Sequence, residues 1–219
     1  MATIEQKNIL QLTGEERVVL RGIPWELYEA LRDNESSCHV RMTYDEGILE
    51  LMSPSDDHEW IKRLVGQMIE ALTEELSIPR RSLSATTWKR RKPDKGLEAD
   101  ECYYILNHPK IRSRRNIDLA VDPPPDLALD VDLRPGEVQK ARIYAALGVP
   151  EIWRWEDDGL QAYSLESDGQ YAPREFSLNL PMLRVKDLEP FIDFEQASDE
   201  SAWIKVFRTW VRQRFCAGE

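Results

Sequence analysis

Nowhere in the 219 residues do apolar side chains run together long enough to cross a bilayer, so no integral helix is expected. Cysteine is scarce. Cys38, Cys102 and Cys216 are odd in number and lack metal-ligand spacing. That excludes a disulfide framework or a zinc cluster as the organising device and suits a reduced, cytoplasmic protein. Residues 1–11 mix acid with base and carry no apolar core, so they do not read as a secretory signal. A glycine-rich phosphate loop and a Gly-x-Ser-x-Gly elbow are both missing, which leaves P-loop and serine-hydrolase chemistry without support.

Positive charge is also in deficit. Against 40 Asp and Glu stand 29 Lys and Arg, for a formal charge of −11, a poor overall balance for a protein that meets phosphates. The deficit is uneven. From Arg80 to Arg115, eleven basic residues face four acidic ones, a local charge of +7. Such a stretch either steers a polyanion toward an acidic body or forms a solvated, arginine-rich loop.

What is present is a 42% hydrophobic content, enough for one sizeable core. Residues 18–20 read as a strand and 25–32 as a helix. Residues 40–44 and 48–52 read as a hairpin around Asp45-Glu46-Gly47. Ser55 or Asp56 caps a strong helix whose apolar positions, Trp60, Ile61, Leu64, Val65, Met68, Ile69, Leu72 and Leu76, describe one wide face. A basic segment over 80–95 leads to a strand at 97–105. Another strand follows at 127–133, then a helix at 137–147 ending on Gly148, and a strand at 152–155. Asp157-Asp158-Gly159 is a turn before a second hairpin. The expected partition is an extension at 1–17, one domain at 18–195 and a helical appendage at 196–219. In that appendage Trp203, Phe207 and Trp210 read as an exposed contact surface. Helix, strands, crossover helix and more strands predict an α/β fold with a mixed central sheet flanked by helices.

The chemistry lies in carboxylates on two strands. Asp126, Ala128, Asp130 and Asp132 fall on one face of their strand, and Leu127, Leu129 and Val131 on the other. Burying unpaired carboxylates is costly, so that face needs water, a cationic side chain or a metal ion. Glu98 and Asp100 share one face of the preceding strand, which lets Asp100 meet Asp130. Two aspartates suit a hard cation such as Mg²⁺ or Mn²⁺. Lys140 follows on the next helix, with Tyr144 one turn on. Its amine either serves an attacking water and the phosphate or pairs with a neighbouring acid such as Glu137. Glu59 is explicable as a first-turn helix acid, Asp126 as a cap where its strand begins, and His58 as a cap or surface group. Trp88, among basic residues, either stacks on a base or anchors its loop.

Three stretches carry a resemblance: Gly96-Leu97-Glu98-Ala99-Asp100-Glu101-Cys102-Tyr103-Tyr104-Ile105, then Pro123-Pro124-Pro125-Asp126-Leu127-Ala128-Leu129-Asp130-Val131-Asp132, then Lys140 with Ile143 to Trp153. With Tyr44 to Ser55 and His58-Glu59 upstream, they make the chain similar to the Uma family of restriction-endonuclease-like proteins, within the PD-(D/E)XK nuclease superfamily. The resemblance spans about residues 18–195. It implies a restriction-endonuclease-like fold, Asp100 and Asp130 as metal ligands, and catalysis by Asp100, Asp130 and Lys140 with Glu59 assisting. Glu98, Asp132 and Tyr144 would line the site. The sequence departs from the motif twice: Ala99 replaces the proline, and Asp132 occupies the lysine position, so Lys140 must supply the amine from the helix. The expected activity is Mg²⁺-dependent (or Mn²⁺-dependent) cleavage of DNA by a protein that forms a homodimer. The alternatives are a catalytically inactive nuclease-fold binding or assembly protein, motivated by Asp132 and the acidic charge, and a metal-dependent hydrolase of another substrate.

Overall fold

The computed structural model describes residues 15–33, 40–90, 94–134, 136–156 and 159–216. Cys38, His39, Arg91, Lys92 and the expected Asp157-Asp158 turn lie outside the described residues.

The chain runs β1 (Glu16–Arg21), α1 (Trp25–Arg32), β2 (Arg41–Asp45), β3 (Ile48–Ser53), α2 (Asp56–Glu75), β4 (Arg81–Arg90), β5 (Lys95–Tyr104), α3 (His108–Ile111), β6 (Leu127–Val131), α4 (Lys140–Leu147), β7 (Glu151–Glu156), β8 (Gly159–Leu165), β9 (Tyr171–Arg174) and α5 (Glu200–Phe215). The nine described strands form one mixed sheet in the order β1-β3-β2-β5-β6-β7-β8-β9, with β4 paired to β5. Only β6 and β7 are parallel, joined across α4; every other pairing is antiparallel. The β2–β3 turn places Glu46 at φ 47° and Gly47 at φ 93°, the left-handed pair that a tight hairpin demands.

Helix α2 forms because Ser55 accepts a hydrogen bond from the His58 N–H and because Asp56, Asp57 and Glu59 occupy its first turn. Its buried stripe packs one sheet face: Leu64, Val65, Met68, Ile69 and Leu72 meet Leu127, Leu129 and Val131 of β6 and Trp153 of β7. Each such side chain contributes about 1.5–3 kcal/mol on burial. On the other face α4 sets Ile143, Tyr144 and Leu147 against Cys102, Tyr104, Ala128 and Ile152. A third cluster holds α1 to β2 and β3 through Trp25, Tyr28, Tyr44 and Leu49.

Four expectations are corrected. Residues 81–90 are strand β4 and not a loop, and Trp88 is buried with its indole N–H on Cys102 Sγ. The basic segment is therefore divided among the described residues. Arg81 lies opposite Tyr104 and Arg90 opposite Lys95, so the hairpin's own cations stand at ends roughly 30 Å apart, while the exposed Lys110, Arg112, Arg114 and Arg115 gather at the Arg81 end, where Arg81 donates to the Ile111 and Arg114 carbonyls. Arg80, Lys89 and Lys95 are paired with acids, and Arg81 and Arg90 with backbone carbonyls. Helix α4 begins at Lys140 and not at 137, because Glu50 Oε2 takes the N–H groups of Glu137 and Val138. Finally, α5 is no exposed aromatic surface. Trp203, Phe207 and Val211 are buried in the α2 core, and Arg208 and Arg212 pair with Glu74 and Glu75 of α2.

Candidate active site

Strand β5 has three neighbours. β4 runs along one edge, while the other edge is divided between β2, opposite 95–97, and β6, opposite 101–103. Asp100 sits at the fork. It stands next in register to Asp130, one step beyond the last β5–β6 pair, Glu101 with Leu129. Past that pair the Val131 N–H finds its acceptor in Asp100 Oδ2 at 2.8 Å. Asp100 Oδ1 accepts from His58 Nε2 at 2.9 Å.

Alternation on β6 turns Asp130 toward α4. Lys140 opens that helix and donates to Asp130 Oδ1 at 2.8 Å and Asp132 Oδ1 at 2.9 Å. A cation in a first helical turn opposes the helix dipole, so the two aspartates must compensate. Asp132 also accepts from Arg154 at 2.9 Å and Arg17 at 3.1 Å. Glu137, the rival partner for Lys140, pairs with Arg21 instead. Arg17 in turn binds Glu50 at 2.6 Å and Glu15 at 3.1 Å. Gly136 packs onto this arrangement: a Cβ there would lie 2.6 Å from Glu50 Oε1 and 2.7 Å from Arg17 Nη1.

At the centre, the carboxylates of Glu15, Glu50, Asp100, Asp130 and Asp132 thus meet Arg17, Lys140, Arg154 and His58. The titrations follow the pairing. Burial and the Asp132 charge raise Asp130 to about 7, with Lys140 only partly opposing them. Burial pushes Asp132 up as well, but Lys140 and the hydrogen bonds to it, including that from Arg154, hold it well below the ordinary carboxylate range. Burial would lower Lys140, yet Asp130 and Asp132 raise it far enough to keep it an ammonium. His58 is raised to about 9, because its hydrogen bonds to Asp100 and Glu15 outweigh burial. Asp100 is lowered: burial acts against its charge, and His58 and Lys140 more than offset it.

The remaining expected residues are further out. Glu59 is partly exposed and paired with Lys62 and Arg41, whose Nε is 3.8 Å from Asp100 Oδ1. Glu98 is buried against Arg32 at 2.6 Å, and burial raises it. The Tyr144 hydroxyl is buried without a hydrogen-bond partner and feels Asp130 first among nearby charges. Asp126 ties down the turn after β5, accepting from the N–H groups of Ile105 and Asn107. A groove of about 550 Å³ runs along α2 past Glu59, Gly66, Glu101 and Tyr103, but the central acids are not part of its lining. They are closed off, with Asp130 fully buried and Lys140 7% exposed.

Sequence reasoning missed His58, Glu15, Arg17, Glu50 and Arg154. His58 was legible: it extends the α2 stripe backward from Val65 and Ile61 at helical spacing. Arg154 lies opposite Asp130 in the parallel register, which no local pattern announces.

A divalent cation suits this chemistry. Asp130 Oδ2 is buried with no hydrogen-bond partner; Arg154 Nε stands 3.9 Å away and likewise has none. Among the described residues no three His, Cys, Asp or Glu side chains converge as a ready cage. An ion of the magnesium type, content with one or two carboxylates and several waters, does not require one.

A mixed sheet flanked by helices, with acids on adjoining strands and a lysine on the crossover helix, defines a restriction-endonuclease-like α/β protein. The chain belongs to the Uma2 family, described as "Putative restriction endonuclease", whose model matches residues 25–197. It is similar in fold to a crystal structure described as a "putative nuclease belonging to DUF820" from Anabaena variabilis ATCC 29413. There the TM-score is 0.50 and the identity 15%, covering 86% of this chain and 99% of that one. No curated protein matches it. No helix among the described residues is long and apolar enough to cross a membrane.

Proposed function

We propose that the protein is a divalent-metal-dependent endonuclease that hydrolyses DNA phosphodiesters at Asp100, Asp130 and Lys140. The observation that carries this reading is the unpartnered Asp130 Oδ2 beside Lys140, in a cluster where acid exceeds base. Asp130 and Asp100 would hold Mg²⁺ or Mn²⁺. The bound ion would polarise a phosphoryl oxygen and acidify a water.

Lys140 acts as a fixed cation. It keeps its proton, so it is no general base. Of the three N–H donors of an ammonium, two go to Asp130 and Asp132, which leaves one for a phosphoryl oxygen or the attacking water. Asp132, at the motif's lysine position, is then the clamp that holds the displaced lysine, with Arg154 and Arg17 balancing its charge. Glu59 stands outside this centre, joined to it through Arg41.

The thorough internal pairing of the buried acids favours the second reading, a non-catalytic nuclease-fold binding protein. Plasmid and single-stranded DNA incubated with Mg²⁺ or Mn²⁺ separate the two, using wild type, Asp130→Asn and Lys140→Gln. Nicking that disappears in both variants supports the nuclease. DNA retention without nicking by the wild type in either metal supports the binding protein and rejects catalysis.

A further inference from the structure

His58 joins the metal-facing strand to the edge of the sheet. Its ring is fully buried, with Nε2 2.9 Å from Asp100 Oδ1 and Nδ1 2.7 Å from Glu15 Oε1. Glu15 immediately precedes β1 and is itself held by Arg17 at 3.1 Å. Ionised carboxylates only accept hydrogen bonds, so both ring nitrogens donate. A ring gripped at both ends fixes the position of its partner. The other oxygen of Asp100 is fixed independently by the Val131 N–H at 2.8 Å. Two donors from different elements therefore set the plane of one carboxylate, and that carboxylate is the one at the fork between β2 and β6.

Stability alone gives little reason for this arrangement. Replacing a buried charged triad by packed apolar residues is often neutral or favourable. Orientation of a ligand does give a reason: hydrogen-bond partners behind ligating side chains typically govern 10–100-fold in metal affinity or activity. Glu15 also precedes the residues matched by the family model, 25–197, so the outer member of the triad is contributed by a segment beyond the matched region.

We infer that Glu15 and His58 are positioning residues: the Glu15–His58 pair orients Asp100 toward the cation, making the start of β1 a working part of the site. This rests on the nuclease reading above, and the test keeps the two apart. Mn²⁺ is titrated calorimetrically into wild type, Glu15→Gln, Asp130→Asn and Glu151→Gln. Glu151 is the control, a buried carboxylate that accepts from Trp153, Ser177, Leu178 and Asn179 and pairs in register with Leu127 at the far end of β6.

Glu15→Gln should weaken Mn²⁺ binding about 10–100-fold. Glu151→Gln should lower the unfolding midpoint and leave Mn²⁺ affinity unchanged. In wild-type protein, the His58 ring resonances in ¹H–¹⁵N spectra should move on addition of Mg²⁺, a readout that needs no variant to fold. Unchanged Mn²⁺ affinity in folded Glu15→Gln overturns the positioning role, as does a His58 ring indifferent to Mg²⁺. If Asp130→Asn binds Mn²⁺ as the wild type does, the cation is elsewhere and the nuclease reading falls with it. If Asp130→Asn abolishes binding while Glu15→Gln leaves it intact, only the positioning role is lost.

Discussion

Asp130→Asn should make the metal-free protein more stable. The side chain keeps its shape, and its carbonyl oxygen can still accept from Lys140; only the buried negative charge is removed. In the folded protein Asp130 titrates at about 7, against an ordinary 3.8. Ionising it inside the fold at pH 8 therefore costs about 4 kcal/mol, which is the ceiling on the gain. The sign follows from proton counting. As pH rises from about 4 to 7, the unfolded chain has released this proton and the folded one has not, so wild-type stability falls over that window and levels off above it. The variant has no such group, so its advantage should be about 1–2 kcal/mol at pH 5 and grow toward the ceiling by pH 8. Urea denaturation in EDTA, followed by tryptophan fluorescence at both pH values, measures the difference. Mn²⁺ should then stabilise the wild type selectively. A variant less stable than wild type at pH 8, or an advantage that does not change between pH 5 and 8, would refute the account of Asp130 as an acid lacking its cation.

Lys140→Met strips Asp130 of its hydrogen-bonded cation; breaking a buried pair costs about 3–5 kcal/mol, readable as a lower urea midpoint, and DNA nicking should fall about 10²–10³-fold. Gly136→Ala drives a methyl group into Glu50 and Arg17 and should cost about 1–3 kcal/mol; a midpoint equal to wild type would show that the loop gives way. Ser55→Ala removes the α2 cap and should cost about 1 kcal/mol, with DNA nicking unchanged at temperatures well below the transition.

Much of the architecture could be read from residue patterns. Alternation in residues 126–132 correctly turned Leu127, Leu129 and Val131 to one face and Ala128 to the other, because a strand's period is set by its backbone. The wide apolar face of α2 and Gly148 after α4, at φ 80°, were equally plain. The failures share a cause. Arg81 to Arg90 carries the polar side chains of a loop, but a strand that pairs along β5 can direct such groups to carboxylates and carbonyls nearby. The run of basic residues dispersed for the same reason, since adjacency in sequence becomes opposition across a hairpin. His58 and Glu15 escaped because their partnership spans 43 residues, and nothing in a local window records which acid a buried ring will meet.

Asp130, Asp132, Lys140 and Arg154 all lie on the single excursion that leaves the sheet at β6 and returns at β7. The chain need not bring distant segments together to assemble these charges. They should gather as soon as this one crossover closes, early in folding and without waiting for either end of the molecule. A circularly permuted protein cut in the Ser167–Gly169 turn would carry the whole set on one uninterrupted stretch, which makes that crossover a natural unit for transplantation onto a parallel strand pair of another sheet.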